Sequence, residues 1–248
     1  MLRCYRADLH IHTCLSPCAD LTMSPKRIVE KAEEMKLDII AVCDHNSAEN
    51  VKATINAAKG KNLTVLAGME VASTEEVHVI ALFDSLEEVL ALQELVYKKL
   101  LSGENNEELF GEQIIVNEFD EVEGYNKRLL IGATTLPLSK IVQHIHMNDG
   151  LVIASHIDRE TYSIIGQLGF IPEDLNIDGL EVSPHTTPAQ ANIDFPETNE
   201  YPLLTSSDAH FLKDIGKVTT SFLLAQPNLR EIKMALSQHD GRKTIQEA

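Results

Sequence analysis

Histidine and carboxylate side chains recur in this sequence at the ends of segments that are predicted to be β-strands. His10 and His12 are separated by one residue in the first of these segments, which places both imidazoles on one face of a strand. The same residue types stand at or near six further strand ends: Asp44 with His45, Glu70, His78, His156, His185, and Asp208 with His210. Imidazole and carboxylate together suit zinc, manganese or iron. A set larger than the four ligands of one tetrahedral site predicts more than one divalent ion.

Each of these residues has a plainer explanation when it is taken alone. His45 could cap the helix that follows it, and Glu70 could be an exposed acid at a strand end. Those explanations do not account for the recurrence at consecutive strand ends, which favours a multinuclear metal site. His144 and His146 do not share the pattern, because they fall near the end of a predicted helix, where the helix dipole favours histidine. We interpret that pair as structural, and His239 near the tail as solvated.

The strands that carry these residues alternate with helices along the chain. Short apolar or alternating runs predict strands at 7–12, 38–43, 63–67, 77–83, 151–155, 179–182, 203–205 and 221–225. Helical spacing and capping signals predict helices at 25–36, 47–60, 85–101 and 228–238. This alternation predicts a parallel sheet, and seven or eight such units in a chain of 248 residues favour an α/β barrel. The carboxyl ends of barrel strands meet at one rim, so the candidate ligands would converge there.

One stretch interrupts the alternation. Residues 103–123 contain eight acidic residues and no lysine or arginine, with four large apolar side chains between them: Phe110, Ile114, Ile115 and Phe119. We interpret 103–137 as an insertion within a single domain of residues 1–248. A solvated flap and a lid over the site are both compatible with it. We expect it to pack beside the barrel through those apolar side chains without contacting phosphate, since its carboxylates would oppose the substrate charge.

Composition and charge limit the classes of partner. The formal net charge is −17, which disfavours long nucleic acid and anionic membrane surfaces. No apolar run reaches the roughly 18 residues of a membrane span. The four cysteines do not form a disulfide framework for a chain of this size, and Met1–Tyr5 leave no room for a signal peptide before the first motif. These features predict a cytoplasmic protein; they give no oligomeric state.

The candidate ligands also occur in the order of known motifs. The segments concerned are Asp8-Leu9-His10-Ile11-His12-Thr13, Asp44-His45-Asn46, Gly68-Met69-Glu70, His78, Ser155-His156 and Ser207-Asp208-Ala209-His210. Together they resemble the motifs of the polymerase and histidinol phosphatase (PHP) superfamily. The resemblance implies a distorted (β/α)7 barrel that holds two or three divalent metal ions (Zn, Mn or Fe) and hydrolyses phosphate esters.

The resemblance further implies how the ligands are shared. One ion would take His10, His12, Glu70 and Asp208; a second, bridged by Glu70, would take His78 and His156; a third would take His45 and His210. The third ion also needs a residue from the loop after His12, where family members place a histidine or an aspartate. Asp20 is preferred at that place because a hard carboxylate suits a hydrolytic ion, and Cys18 is the alternative. A thiolate zinc site of Cys14 with Cys18 is weaker, because only two cysteines are near each other in the sequence.

The implied chemistry is hydrolysis of a small phosphomonoester, such as a nucleotide, a sugar phosphate or an amino-alcohol phosphate. A water that bridges two ions has a lowered pKa and becomes the nucleophile. Arg159 would add a bidentate phosphate contact, and His185 would act as a leaving-group acid or as an orienting group. A plain surface position for Arg159 and a packed or solvated position for His185 remain open. A nuclease acting on single strands and a non-catalytic metal-binding regulator are the alternative functions.

Overall fold

The computed structural model describes residues 1–245, which form a mixed α/β fold. The strands are β1 (Arg3–Ile11), β2 (Ile39–Val42), β3 (Thr64–Ala72), β4 (His78–Phe83), β5 (Ile114–Val116), β6 (Val122–Tyr125), β7 (Leu151–Ala154), β8 (Gly179–Val182), β9 (Leu203–Thr205), β10 (Thr220–Leu224) and β11 (Lys243–Ile245). The α-helices are α1 (Pro25–Glu34), α2 (Val51–Ala57), α3 (Leu86–Lys99), α4 (Glu107–Phe110), α5 (Leu138–Met147), α6 (Ile164–Leu168), α7 (Pro188–Asp194) and α8 (Leu229–Leu236). Short 3-10 helices span Pro196–Glu200, Leu212–Asp214 and His239–Gly241.

Nine of these strands form one curled sheet in the order β11-β10-β1-β2-β3-β4-β7-β8-β9. The segment that follows β9 pairs with the end of β1, so the curled sheet nearly closes on itself. Ile11 and Ala209 form a parallel bridge, and the His12 N–H donates to the Ala209 carbonyl at 3.0 Å. The predicted α/β barrel is therefore confirmed in a distorted form, with the strand ends directed at a common centre.

The expectation that all strands are parallel is wrong. The pairs β1–β2, β2–β3, β7–β8 and β8–β9 are parallel, whereas β3–β4, β4–β7, β1–β10 and β10–β11 are antiparallel. Only residues 73–77 connect β3 to β4, and a parallel crossover needs about a dozen residues or more. Because β4 runs the other way, its first residue, His78, lies at the same edge as the end of β3. Ala72 and His78 are direct partners in that pairing.

The helices pack on the sheet through apolar faces. A capping box begins α3, with the Glu88 N–H donating to Ser85 Oγ at 3.4 Å and the Ser85 N–H donating to Glu88 Oε2 at 3.3 Å. Val89, Leu92 and Val96 follow at helical spacing and are fully buried in the largest apolar cluster. The cap and this apolar stripe hold α3 against β3 and β4, which carry two of the candidate ligands.

The acidic insertion contains α4 and the hairpin β5–β6. It is joined to the barrel by hydrogen bonds: the Ile114 N–H donates to the Cys14 carbonyl, and Asn50 bonds both the Ile114 carbonyl and the Val116 N–H. Packing through Phe110 and Phe119 is not observed, because these rings are 40% and 69% exposed. Buried backbone N–H and C=O groups need hydrogen-bond partners, and the Asn50 side chain provides them for two such groups of β5.

Two features bear on the composition-based expectations. Within residues 1–245, the structure contains no helix that is both long and apolar enough to cross a membrane. All four cysteines are free thiols, as expected from the lack of a disulfide framework, and Cys14 and Cys43 are buried.

Candidate metal centre

Glu70, near the end of β3, lies at the centre of a cluster of histidines. Its side chain is 2% exposed. Nitrogens of five imidazoles stand near its oxygens: His45 at 3.0 Å, His78 at 3.2 Å, His156 at 3.4 Å, His10 at 3.5 Å and His12 at 3.6 Å. Two ligands at about 2.0–2.2 Å from one ion stand roughly 3–3.5 Å apart, so these separations suit atoms that share an ion.

Asp208 is a second carboxylate in the same cluster. Its Oδ1 lies 3.2 Å from His12 Nε2, 3.5 Å from His10 Nε2 and 3.6 Å from His210 Nδ1. The Nε2 atoms of His10 and His12 are only 3.1 Å apart. Three groups of donor atoms are each close enough to hold one ion: His10 with His12 and Asp208; His12 with His45 and His210; His45 with Glu70 and His78.

Unpaired buried atoms test whether these residues fit divalent ions. Glu70 Oε1 and His78 Nδ1 have no hydrogen-bond partner among the described residues, although both are fully buried. A buried polar atom without a partner costs about 1–3 kcal/mol, so natural proteins rarely leave one at such a place without a ligand. The imidazole and carboxylate donors suit zinc, manganese or iron. The residues therefore fit a site for more than one divalent ion.

Buried partners orient two of the imidazoles. Glu181 on β8 lies 3.0 Å from His10 Nδ1, and Ser16 Oγ lies 2.9 Å from His12 Nδ1. The Ser16 hydroxyl donates to Asp44, so it accepts from the His12 ring. In both rings the proton on Nδ1 leaves the lone pair of Nε2 directed into the cluster. Glu181 was missed in the sequence, although a glutamate within a four-residue buried strand is a signal for it.

The cluster holds its carboxylates ionised. Burial raises the pKa of Glu70, but His78, His10 and His45 lower it by more, so this pKa lies well below its usual value. Burial likewise raises the pKa of Asp208, and His10 and His12 bring it well below the ordinary range. Burial and the neighbouring histidines, His210 first among them, hold the pKa of His12 well below normal. Ionised carboxylates and a neutral His12 are protonation states that metal binding requires. Burial lowers the pKa of His10, but Glu181 and Asp208 hold it well above its usual value, so this imidazole would release a proton on binding an ion.

Strained backbone follows the strands at two ligand positions. His156 and Asp208 adopt positive φ angles of 30° and 46°, a region that residues other than glycine rarely occupy. The turn at Asp208 is fixed by the buried carboxylate of Asp8, which accepts the Ser207 N–H at 3.0 Å and the Gly216 N–H at 2.9 Å. Strain of this kind persists where surrounding structure enforces it, and it concentrates at functional sites.

The loop after β1 places Cys18 beside one of the clustered histidines. Cys18 Sγ lies 3.1 Å from His210 Nε2. The carboxylate of Asp20 accepts the Thr22 N–H at 2.9 Å in a local turn and is not among the clustered donor groups, so its role as a metal ligand stays a prediction. Burial raises the pKa of Cys18, but His45 and His210 lower it by more, so this pKa falls to about 6. The thiolate is therefore favoured at neutral pH. Cys14 is not its partner, since the Cys14 thiol faces the Ile114 carbonyl.

Arg159 and His185 occupy different parts of the site. Arg159 donates from Nη2 to Asp208 Oδ2 at 2.6 Å and borders a cavity of about 210 Å³ over the cluster. It also lines an adjoining groove of about 510 Å³, where His185 and Lys217 lie. His185 is exposed there and does not enter the ligand cluster. The remaining histidines lie elsewhere: His146 Nε2 is 2.9 Å from Asp178, and the ring of His239 is 63% exposed.

Comparison with known proteins agrees with this arrangement. A model of the PHP domain matches residues 8–171, and a model described as PHP-associated matches residues 192–239. The uncharacterized protein YqxK of Bacillus subtilis is 25% identical over 270 residues, which cover 96% of this chain and 63% of that protein.

Solved structures share the fold at low sequence identity. The lesion-specific endonuclease EndoQ from Pyrococcus furiosus superimposes with a TM-score of 0.72 at 18% identity, over 98% of this chain and 58% of that one. A protein of Bifidobacterium adolescentis designated a metal-dependent phosphoesterase gives a TM-score of 0.56 at 15% identity, over 94% of this chain and 96% of that one. The chain thus spans about three fifths of the length of YqxK and of EndoQ. The match of the PHP model over residues 8–171, in which six of the clustered ligands lie, shows that the chain belongs to the PHP domain family.

Proposed function

We propose that this protein is a metal-dependent phosphoesterase that hydrolyses small phosphomonoesters, among them nucleotides, sugar phosphates and amino-alcohol phosphates. The observation that carries the proposal is the convergence of five histidines on Glu70, with Asp208 and Arg159 beside them. Phosphoesterases and endonucleases of the PHP family are hydrolases that act on phosphoric ester bonds.

The ligand set of the proposal follows the donor groups of the cluster. Two or three divalent ions would be held by His10, His12, His45, Glu70, His78, His156, Asp208 and His210, with Cys18 beside His45 and His210. Glu70 would contact two ions, because each of its oxygens faces different imidazoles. Bound divalent ions supply a water of lowered pKa as nucleophile and neutralise charge on phosphoryl oxygens.

Arg159 would position the phosphoryl group. Its Nη2 is held by Asp208, while 39% of its side chain is exposed and leaves other N–H groups free to contact substrate. The planar guanidinium can donate hydrogen bonds to two phosphate oxygens at once, and its pairing with Asp208 fixes the direction in which its other N–H groups point. His185, which lies in the same groove, would deliver a proton to a leaving group placed there.

A nuclease acting on single-stranded nucleic acid is the second candidate. The groove beside Arg159 continues into a further one of about 380 Å³, and both are lined by His185 and Lys217. Arg6 lies farther along this path. These side chains lead away from the centre and favour a substrate that extends beyond one phosphate, although Lys217 is paired with Asp214 at 2.7 Å on the same wall. The net charge of −17 opposes tight binding of long duplexes.

A substrate panel tests the proposal. The purified protein, supplied in turn with zinc, manganese and iron, is assayed on phosphomonoesters, on a phosphodiester and on a single-stranded oligonucleotide. We expect phosphomonoester hydrolysis that Glu70→Gln lowers by at least 100-fold and that Glu197→Gln, at an exposed position, leaves unchanged. Strand cleavage without monoester turnover would favour the nuclease. No turnover on the whole panel would contradict both and leave a metal-binding regulatory role.

A further inference from the structure

A second pocket, of about 290 Å³, opens beside the cavity over the metal ligands. The two spaces share His78, Ile131 and Tyr162 on their walls, so one small molecule can occupy both. Phe110 and Leu129 complete the apolar part of the second pocket. This pocket is therefore a place for the part of a substrate that is not phosphate.

Tyr162 forms an aromatic wall between the two spaces. Its ring stacks on the His78 ring with centroids 4.7 Å apart and an interplanar angle of 21°, and the residue is 48% exposed. Its backbone has φ at 62°, which is strained for so bulky a residue. The His78 backbone N–H donates to the Tyr162 carbonyl at 2.8 Å, which holds the Tyr162 backbone beside His78. An exposed ring held rigidly beside a candidate ligand is a prepared surface for stacking.

The acidic insertion supplies the facing wall. The Asn46 side-chain amide donates to the carbonyls of Leu130 and Gly132, both at 2.8 Å, and so places Ile131 at the cavity. Asn46 follows His45 directly and itself has φ at 51°. The turn that positions one candidate metal ligand thus also positions the apolar wall of the pocket.

Charge separates the two ends of a substrate. Arg159 borders the cavity over the cluster and the adjoining groove, but it does not line the apolar pocket. Glu76 is the one carboxylate among the residues that line the apolar pocket, and it would repel a phosphate placed there. A bound phosphate ester would therefore direct its phosphoryl group toward Arg159 and an uncharged group toward Tyr162.

We propose that the apolar pocket receives a nucleobase, so that the phosphate cleaved at the centre belongs to a nucleotide or to the terminal nucleotide of a strand. This inference rests on the proposed phosphoesterase function. A nucleobase is flat and uncharged, and it carries amino or ring N–H groups that can donate hydrogen bonds to a carboxylate such as Glu76. Stacking of a base on an aromatic side chain corresponds to a roughly 5- to 100-fold gain in affinity. The pocket volume lies near the lower end of the roughly 300–1,000 Å³ range for small-ligand sites.

The test compares adenosine 5′-monophosphate with ribose 5-phosphate, which lacks only the base. KM and kcat are measured for both with the metal-loaded protein, and binding of both is measured by calorimetry. Tyr162→Gly removes the ring without backbone strain, since glycine adopts a positive φ freely, and Tyr162→Phe keeps the ring. Tyr125→Ala is the matched control, because Tyr125 is 47% exposed on β6, outside the pocket. A short single-stranded oligonucleotide distinguishes a strand terminus from a free nucleotide.

We expect the wild-type protein and Tyr162→Phe to favour the nucleotide by 5-fold or more in KM and in binding. Tyr162→Gly should abolish that preference, so that the nucleotide binds no better than ribose 5-phosphate, whereas Tyr125→Ala should keep it. An equal affinity of wild type for both compounds, or a preference that survives Tyr162→Gly, would overturn the inference and leave the phosphoesterase function intact. If neither compound is hydrolysed, the substrate panel decides the phosphoesterase function separately, and the calorimetric preference still decides whether the pocket binds a base.

Discussion

Glu181 lies 3.0 Å from Nδ1 of His10, while Nε2 of the same ring lies 3.5 Å from Glu70. The imidazole is thus held between a carboxylate that fixes its tautomer and the cluster that receives its lone pair. Glu181→Gln should lower the affinity for the ion that His10 binds by roughly 10- to 100-fold, the usual effect of removing such a partner. Competition against a chelator of known affinity measures this change.

Glu197→Gln, at an exposed position, is the matched control for Glu181→Gln. The circular dichroism of both variants should match wild type. An unchanged metal affinity in a folded Glu181→Gln protein would show that Glu181 has only a packing role.

The example of Glu181 shows where the sequence was sufficient and where it was not. The residues around Glu70 were predictable because their types recur at strand ends, and strand ends converge in an α/β sheet. Glu181 lies within a predicted strand and contacts His10, so the pattern of ligand types at strand ends does not include it. The predicted strands 63–67 and 77–83 leave only residues 68–76 between them, which is already short for a parallel crossover, and the structure shortens this connection to 73–77.

Cys18 gives a prediction about metal preference. A thiolate selects zinc over manganese, whereas a carboxylate suits the harder ion. Cys18→Asp should therefore move the metal that supports the highest activity from zinc toward manganese. Cys4→Asp is the control, because Cys4 is exposed on β1 and lines none of the cavities at the centre. The metal dependence of the initial rate measures the change; an identical dependence in both variants would exclude Cys18 as a ligand.

Two carboxylates of the insertion should be dispensable. Glu118 accepts from the Asn56 amide at 3.3 Å and lines a separate surface pocket, and Glu121 accepts from Asn117 in the hairpin turn. The double variant Glu118→Gln, Glu121→Gln should keep kcat/KM within about twofold of wild type. Any residual change should fade as salt is added, since exposed charges are screened. A large loss of turnover that salt does not reduce would place these carboxylates in the active site.

Glu231 and Arg242 give a prediction about stability and pH. Arg242 donates to both oxygens of Glu231 at 3.0 Å, and this pairing, with the Ala225 N–H, holds the pKa of Glu231 below its ordinary value. A lowered pKa in the folded state adds stability above the unfolded pKa of about 4.3, which is lost as pH falls through the folded value.

Glu231→Gln should therefore lower the free energy of unfolding at pH 7 and have a smaller effect at pH 3. Urea unfolding at the two pH values measures the difference. Glu94→Gln, in the exposed pair with Lys98, should have little effect at either pH. An equal loss in Glu231→Gln at both pH values would contradict the ionic explanation.

Other parts of the site depend on contacts that the sequence does not display. Asp20 and Cys18 lie in the same loop, and the sequence does not display that Asp20 binds Thr22 in a local turn while Cys18 lies beside His210. Ile131 and Tyr162 lie in irregular segments, far from each other in sequence, and a hydrogen bond from Asn46 and a strained φ angle bring them to one cavity. Neither the Asn46 hydrogen bond nor the strained φ angle can be predicted from the spacing of apolar residues in the sequence.

The central claim is that the cluster around Glu70 binds divalent ions and uses them to hydrolyse phosphate esters. The most direct measurement is a titration of metal-stripped protein with zinc or manganese while the initial rate of phosphomonoester hydrolysis is followed. We expect negligible activity without metal and an initial rate that increases until two or three ions are bound per chain. The rate of Glu70→Gln should show no comparable increase. Activity that survives metal removal, or that saturates at one ion per chain, would contradict this claim.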